Sequence, residues 1–509
     1  MRTLIEISKI VTKKRISKIE IFDKSLLNKK ESKFNEFYEG LVNNDFKTDE
    51  EAAEVLYQTT PLDDKYRQLK SRFTKRLMNT LFFLDANDPS FSNYHSAYYT
   101  CNKNWALIRI LLSSGARNAA TKLAAKTLHV AQNFRFTDII LNCSRILMTN
   151  SSLAGKSKEY EQYAEIANKA MVELGYEMQS EEMYQRLTIG LTSSGSVDEE
   201  RARIAGEYLE KVRALTALSD SCILHFNMYQ IWILYLQFKG DYQGTIEVCE
   251  QAEAFLDKNE PFRQKVKQAG LALTKINCYL QLRDYENGRT NADRCLELFT
   301  EGSNNWFVFL EVYFLLAMHT KNYINAAGIY LKVINHPRFQ FTAPERQEKW
   351  KIFEAYIKYI FETEGLNKDL LFDDGKRKFR LLKFLNEVPH FSKDKKGFNV
   401  AILVLQILYM LEKGDYTGII NRSEALNVYC SRYLRKDDSF RSNCFLKMLL
   451  TMEKEDFKYE RTRQMAMKFY KKMTEEVNDE NIVHEWEIIP YETLWDMVLN
   501  RLRNKVAAA

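Results

Sequence analysis

One pattern recurs along this chain and limits its possible folds more than any other feature: an apolar helical stretch that ends in a short polar turn. Each turn closes with Asp or Asn followed by an aromatic residue, here called the aromatic anchor. The anchors are Tyr242, Tyr285, Tyr323, Tyr416 and Phe457. Most neighbouring anchors are about 42 residues apart, and the wider interval before Tyr416 has room for one more unit. This spacing predicts a module that is repeated and stacked.

Each anchor also begins a second stretch with apolar residues at helical spacing, as at Ile246 and Cys249. The same spacing recurs upstream at 116–132, 160–174 and 201–215. The missing unit is predicted as a helix around 350–356 and another at 376–388, closed by Pro389. Because one helical hairpin cannot bury both of its apolar stripes, neighbouring hairpins are expected to stack in a row.

Composition agrees with a helical fold. Only 18 Gly and 7 Pro occur in 509 residues, which are too few turn-forming residues for a many-stranded β-protein. A hydrophobic share of 45% excludes a disordered chain. We therefore predict an all-α fold, an α-solenoid of stacked helical hairpins with a small helical region at the N-terminus.

The sequences Gly240-Asp241-Tyr242 and Gly414-Asp415-Tyr416 resemble the turns of the tetratricopeptide repeat family. The resemblance extends over residues 105–475 and implies a superhelix of about nine units. The units are longer than the 34 residues typical of the family, which implies longer helices or longer loops. A generic α-solenoid is the alternative.

In tetratricopeptide proteins the first helices line a groove that holds a segment of a partner protein. The resemblance implies that four polar residues contact a partner here: Asn227, Gln230, Gln237 and Asn277. The alternative is that these residues make hydrogen bonds inside the helical stack. The function implied is a non-enzymatic, cytoplasmic adaptor or scaffold that binds a protein or peptide along the concave face.

The region before the repeats, residues 1–86, differs from them in its charge pattern. Three helices are predicted, at 32–43, at 49–57 with Thr48 as its cap, and after Asp63. The third helix is basic, and its candidate nucleic-acid contacts are Arg67, Lys70, Arg72, Lys75 and Arg76. Helix-turn-helix DNA-binding domains also begin with a short helix followed by a basic helix. The alternative is a solvated helix that covers the first repeat.

The remaining boundaries follow from composition. Residues 87–104 are predicted as a linker, 476–506 as a capping segment opened by Pro490, and 507–509 as a cloning remnant.

No catalytic or metal-binding motif is found. Gly155-Lys156-Ser157 lacks the earlier glycine of a P-loop, and His484-Glu485 lacks a second histidine at the required spacing. The eight cysteines include no CxxC pair, so we expect reduced thiols in the cytoplasm and no bound metal or cofactor. No membrane span is predicted.

Three functions fit these observations. The first is the adaptor, and the second is a nucleic-acid-associated regulator that uses residues 1–86 while the repeats sense a partner. The third is a structural subunit of a larger complex. A net charge of +6 gives no general attraction to nucleic acid, so the adaptor is preferred, and the chain is expected not to be an enzyme.

Overall fold

The computed structural model describes residues 33–42, 45–46, 48–82, 93–189, 199–367, 398–433, 440–475 and 487–508. Within these ranges the regular structure is helical and contains no strand, as the sequence predicted. The helices are α1 (Lys33–Val42), α2 (Asp49–Tyr57), α3 (Asp64–Leu81), α4 (Asn93–Ser113), α5 (Arg117–Phe134), α6 (Thr137–Leu153), α7 (Ser157–Thr188), α8 (Glu199–Thr216), α9 (Cys222–Phe238), α10 (Tyr242–Lys258), α11 (Lys265–Leu282), α12 (Tyr285–Cys295), α13 (Asn304–His319), α14 (Tyr323–Ile334), α15 (Pro344–Thr363), α16 (Phe398–Lys413), α17 (Tyr416–Tyr433), α18 (Phe440–Lys454), α19 (Tyr459–Glu475) and α20 (Tyr491–Ala508).

The chain divides into two compact units, Met1–Gly175 and Tyr176–Ala509. In the first unit, α1 to α3 share one apolar cluster and α4 to α6 share another. In the second, α8 and α9 pack together, and α11 to α20 surround one large apolar core. From α8 to α20 each helix contacts the next one, so the unit is an α-solenoid of hairpins stacked in chain order.

The recurring Asp at the hairpin turns is a helix cap. Oδ1 of Asp241 accepts a hydrogen bond from the backbone N–H of Gly244 at 2.8 Å, and Asp415 bonds Gly418 in the same way at 2.9 Å. The preceding glycine ends the first helix in the left-handed region, with φ of 71° at Gly414. The Gly-Asp-aromatic sequence therefore ends one helix and starts the next within three residues.

The turn at Phe457 is built differently. Asp456 and Phe457 both have positive φ, and α19 begins only at Tyr459. Here the backbone N–H of Phe457 bonds the carbonyl oxygen of Met452, and Asp456 lies three residues before the start of α19. The fifth anchor thus lies in the turn between the end of α18 at Lys454 and the start of α19 at Tyr459, whereas Tyr242, for example, is the first residue of α10.

The N-terminal helices match their predicted positions. Thr48 Oγ1 caps α2 by accepting from the N–H of Glu51, and Asp63 caps α3 by accepting from Lys65. Part of the predicted linker 87–104 is helical, because α4 already begins at Asn93. Residues 83–92 lie outside the described residues, as do the predicted helix 376–388 and the first part of the capping segment, 476–486.

Polar groups join the C-terminal segment to the core of the second unit. Glu487 is fully buried and binds Arg441, with its Oε1 2.7 Å from Nη2. Nη2 of Arg441 also lies 2.9 Å from Oε1 of Glu492, in the first turn of α20. The ring nitrogen Nε2 of His319, at the end of α13, contacts the carbonyl oxygen of Glu487. Helices far apart in sequence are therefore held by one buried charged cluster.

Candidate functional site

The four residues implied as partner contacts do not form one free polar surface. Nδ2 of Asn227 donates to Oγ of Ser180 at 2.9 Å, and the Ser180 hydroxyl in turn donates to the carbonyl oxygen of Glu177. The buried Glu177 carboxylate also accepts a bond from Ser221. Asn227 therefore belongs to a hydrogen-bonded network within the second unit.

The other three implied partner contacts, Gln230, Gln237 and Asn277, are also half-buried. Nδ2 of Asn277 donates to the carbonyl oxygen of Leu273, one turn earlier in its own helix α11. Gln230 and Gln237 lie seven residues apart in α9, which places them on the same side of that helix. These two side chains fit a partner contact better than Asn227 or Asn277.

The cations of α3 are largely engaged within the first unit. Nζ of Lys70 lies 2.6 Å from Asp49 of α2, and hydrogen bonds from Lys70 and Tyr66 hold the pKa of Asp49 below its usual value. Arg67 pairs with Asp64 at 3.6 Å. Asp49 and Asp64 thus offset part of the positive charge.

Two cations in the last turns of α3 also contact groups of the first unit. Nε of Arg72 bonds the carbonyl oxygen of Gln68, and the guanidinium of Arg76 lies 5.0 Å from the centre of the Phe34 ring. Lys75 is exposed. The five cations do not form a single unpaired row, which weakens the nucleic-acid interpretation.

A different place in the second unit has the form of a binding site. The connection from α14 to α15 encloses a cleft of about 460 Å³, which we call the α14–α15 cleft. Its walls come from the end of α14, the following turn and the first half of α15, and they include Tyr330, His336, Phe339, Gln347 and Trp350. Its volume is within the range of small-ligand and side-chain pockets.

The local sequence explains the shape of this connection. After α14 the chain makes a turn at His336 and a short 3₁₀ turn, Phe339–Phe341. Nε2 of Gln347, in α15, donates to the carbonyl oxygens of Gln340 and Thr342, at 3.1 and 2.9 Å. Pro344 is the first residue of α15, where its missing N–H costs no hydrogen bond. The turn is therefore fixed to the helix that follows it.

The position of α15 itself is fixed by charge. The side chain of Glu311 in α13 is 9% exposed, and its carboxylate lies 2.7 Å from Nε of Arg346 and 3.0 Å from Nζ of Lys349. Nη1 of Arg346 also donates to Asn304 at 2.6 Å. A buried carboxylate with two cationic partners sets α15 against α13 and so defines the rear wall of the cleft.

That rear wall contains a hydrogen-bond donor without an acceptor. Trp350 is 1% exposed and packs against Phe314 and Phe353, at ring-centre distances of 5.4 and 5.2 Å. Its indole Nε1–H is buried and has no hydrogen-bond partner within the part of the chain that the structure describes. Buried polar groups are nearly always bonded in folded proteins, so this N–H requires an explanation.

Two charged residues line the cleft, the acid Glu354 and the base Lys351. Glu354 binds Lys358 at 2.7 Å, so its charge is already neutralised. Lys351, the residue after Trp350, is exposed. Nδ1 of His336 accepts the backbone N–H of Arg338 at 3.1 Å, so the neutral ring carries its proton on Nε2. The lining therefore combines one offset carboxylate, the Lys351 ammonium and amide groups that both donate and accept.

Sequence reasoning placed a helix around 350–356 but did not identify the cleft. The aromatic residues of α15 are typical of helix packing, and the sequence does not show that one indole N–H lacks a partner. The His336-Pro337 turn was the one usable signal, because proline after a helix indicates an irregular connection.

No metal site or membrane-spanning helix is found in the described ranges. They contain no group of three or more His, Cys, Asp or Glu side chains placed to hold a metal ion. None of their helices has both the length and the apolar character needed to cross a bilayer. Comparison with protein-family models, curated proteins and solved structures finds no match to this chain.

Proposed function

We propose that the chain is a non-enzymatic scaffold that binds a segment of a partner protein, and that the α14–α15 cleft is where this segment docks. The observation that carries the proposal is the cleft itself, about 460 Å³ in volume, with the aromatic residues Tyr330, Phe339 and Trp350 in its lining. Gln230 and Gln237 of α9 are proposed as further contacts along the same repeat array.

The repeat architecture supports this proposal. Stacked hairpins present a long surface and are widely used for protein binding. The Asp caps and left-handed glycines at the hairpin turns fit the relationship to tetratricopeptide scaffolds that the sequence suggests. All eight cysteines are free and buried, which fits the proposed cytoplasmic location.

The test uses a substitution that fills the cleft. Gln340 has an exposed side chain, and only its backbone carbonyl bonds Gln347, so Gln340→Trp blocks the opening without removing that bond. Lys265→Trp, at an exposed position of α11, is the matched control. Both variants and the unchanged protein are used for affinity capture from the native organism, with quantitative mass spectrometry.

We expect a stoichiometric partner that Gln340→Trp loses by at least about tenfold and Lys265→Trp retains. Equal melting temperatures of the two variants establish that the loss is not caused by unfolding. Equal capture of partners by both variants would show that the cleft is not the binding site.

A further inference from the structure

The exposed side of α19 carries a dense set of positive charges. It presents four exposed cations that form no ion pair within the described chain, Arg461, Arg463, Lys468 and Lys471. Together with the exposed Met465 and Met467, we call these residues the α19 basic face. Like charges about one turn apart on a helix repel each other, as do those of Lys468 and Lys471. The face is therefore more stable when opposite charge is bound to it.

The charged groups around α19 offset little of this charge. Glu460 is the one acid in the first turn of the helix. Burial raises the pKa of Tyr470, and Asp496 and Glu492 of α20 add to the increase, which places these two acids beside the flank of α19 that packs on α20. On the α18 side, Nζ of Lys447 lies 5.9 Å from the centre of the Phe469 ring and adds a further cation.

Two exposed methionines lie among the cations. Met465 is 47% exposed and Met467 is 38% exposed. Each has a cation about one turn before it and another about one turn after it, in the rows Arg461, Met465, Lys468 and Arg463, Met467, Lys471. The flexible and polarisable thioether adapts to apolar side chains of different shapes. The face therefore alternates positive charge with small apolar contact sites.

This alternation favours an acidic peptide over other anionic ligands. Insertion into a bilayer requires a broad apolar face with large side chains, whereas α19 exposes only two methionines. Single-stranded nucleic acid stacks its bases on exposed aromatic rings, but Tyr459, Phe469 and Tyr470 of α19 are all half-buried. The phosphates of a duplex would pair with the cations and leave both methionines without an apolar contact. Acidic residues that alternate with apolar residues match both features of the face.

We propose that the α19 basic face binds an acidic segment of a partner protein in which Asp or Glu residues alternate with apolar side chains. Carboxylates of the segment pair with Arg461, Lys468 and Lys471, and an apolar side chain packs on Met465. The face shares no residue with the lining of the α14–α15 cleft. This inference therefore goes beyond the proposed function, and the two surfaces can be tested separately.

The probe is a peptide of five Glu-Glu-Leu repeats, labelled with fluorescein at the N-terminus and amidated at the C-terminus. Its binding to the full-length protein is followed by fluorescence anisotropy. Two related peptides separate charge from apolar contact, because Gln-Gln-Leu repeats lack the carboxylates and Glu-Glu-Ser repeats lack the apolar side chain. A labelled DNA duplex of about 20 base pairs and vesicles that contain phosphatidylserine test the competing anionic ligands.

Reversal of charge should weaken binding of the Glu-Glu-Leu peptide by at least about tenfold in the double variant Lys468→Glu with Lys471→Glu, because each lost cation becomes a repelling carboxylate. The matched control is Lys122→Glu with Lys126→Glu, which replaces two exposed cations of α5 that form no ion pair within the described chain and changes the net charge equally. This control should change binding by less than about twofold at about 0.15 M salt, where charges separated by more than about 8 Å are largely screened.

The methionines are tested by Met465→Ser with Met467→Ser. This variant should bind the Glu-Glu-Leu peptide at least about threefold more weakly and the Glu-Glu-Ser peptide as well as the unchanged protein does. Equal melting temperatures of the variants exclude unfolding as the cause of a loss. If the charge-reversed variant is less stable, Lys468→Gln with Lys471→Gln removes the charge without repulsion and should still weaken the peptide by about fivefold.

Four results would overturn the proposal. They are no binding of the Glu-Glu-Leu peptide, equal binding of the Gln-Gln-Leu peptide, equal weakening by both charge-reversed variants, and tighter binding of DNA or vesicles that depends on Lys468 and Lys471. None of these results affects the comparison of Gln340→Trp with Lys265→Trp, so the scaffold proposal for the cleft would stand if the acidic ligand of α19 failed.

Discussion

Protonation of His319 should make the protein markedly less stable below neutral pH. The ring is fully buried, and burial is the main cause that lowers its pKa from 6.5 to about 4. The Glu487 carboxylate acts in the opposite direction, while Arg283 and Arg441 reinforce the decrease. Neutral His319 donates from Nε2 to the Glu487 carbonyl oxygen, and Nδ1 has no partner within the described chain. A proton added at Nδ1 would therefore have no hydrogen-bond acceptor within the described chain.

The sign and size of the effect follow from the pKa of His319 in the unfolded chain, 6.5, and in the folded chain, about 4. A histidine whose pKa is lower in the folded state stabilises the fold fully above pH 6.5, and this contribution is lost as the pH falls toward 4. At pH 5 the unfolded chain carries this proton almost completely and the folded chain rarely does. The free energy of unfolding should therefore fall by about 2 kcal/mol between pH 8 and pH 5 because of His319 alone.

The assay compares His319→Gln with the unchanged protein by urea unfolding at pH 8 and pH 5. Glutamine keeps an N–H donor but does not titrate in this range, so the variant should lose about 2 kcal/mol less on acidification. His225→Gln is the control, because its Nε2 also contacts a backbone carbonyl oxygen, that of Ser219, but the residue is only half-buried. The reasoning is refuted if His319→Gln and the unchanged protein show the same pH dependence.

Three further predictions concern the cleft and the basic helix. Gly302 has φ of 73°, and an added Cβ would lie 2.3 Å from Cε1 of His336, so Gly302→Ala should cost about 1–3 kcal/mol in thermal unfolding. Gly328→Ala, where a Cβ meets open space in a helix, should instead be neutral or stabilising. Glu311→Gln removes the carboxylate that binds the half-buried Arg346 and Lys349 and should cost about 3 kcal/mol, which a chemical unfolding curve would detect. Duplex DNA should bind more weakly than micromolar at about 0.15 M salt, since acidic neighbours pair with part of the α3 charge; a tighter, salt-sensitive complex would restore the regulator hypothesis.

Much of the fold could be predicted because it depends on local chemistry. Helix starts at Asp49, Asp64 and Tyr242 follow from caps that are visible in the sequence, namely Thr48, Asp63 and Asp241. The start of α4 at Asn93 was missed, since the preceding Asn-Asp-Pro-Ser sequence is typical of a linker and its end is not marked.

The candidate site could not be predicted in the same way. The resemblance implied that Asn227 contacts a partner, with a hydrogen bond inside the helical stack as the alternative, and the sequence could not decide because its hydrogen-bond partner Ser180 is 47 residues away. The orphaned donor of Trp350 likewise depends on where α13 and α15 meet. Sequence patterns report the face of a helix on which a residue lies, whereas hydrogen-bond satisfaction is a property of the assembled fold.

The contact between His319 and Glu487 also affects how the protein is made. The two residues are 168 positions apart, so at translation rates of roughly 5–20 residues per second the end of α13 waits about 10–30 s for its partner. Hairpins such as α9 with α10 can close as soon as they leave the ribosome. The core around α13, α16 and α18 cannot, because Glu487 and α20 are synthesised after these helices. A chain that terminates early would therefore expose this apolar core, which makes truncated products of this protein prone to aggregation and to recognition by chaperones.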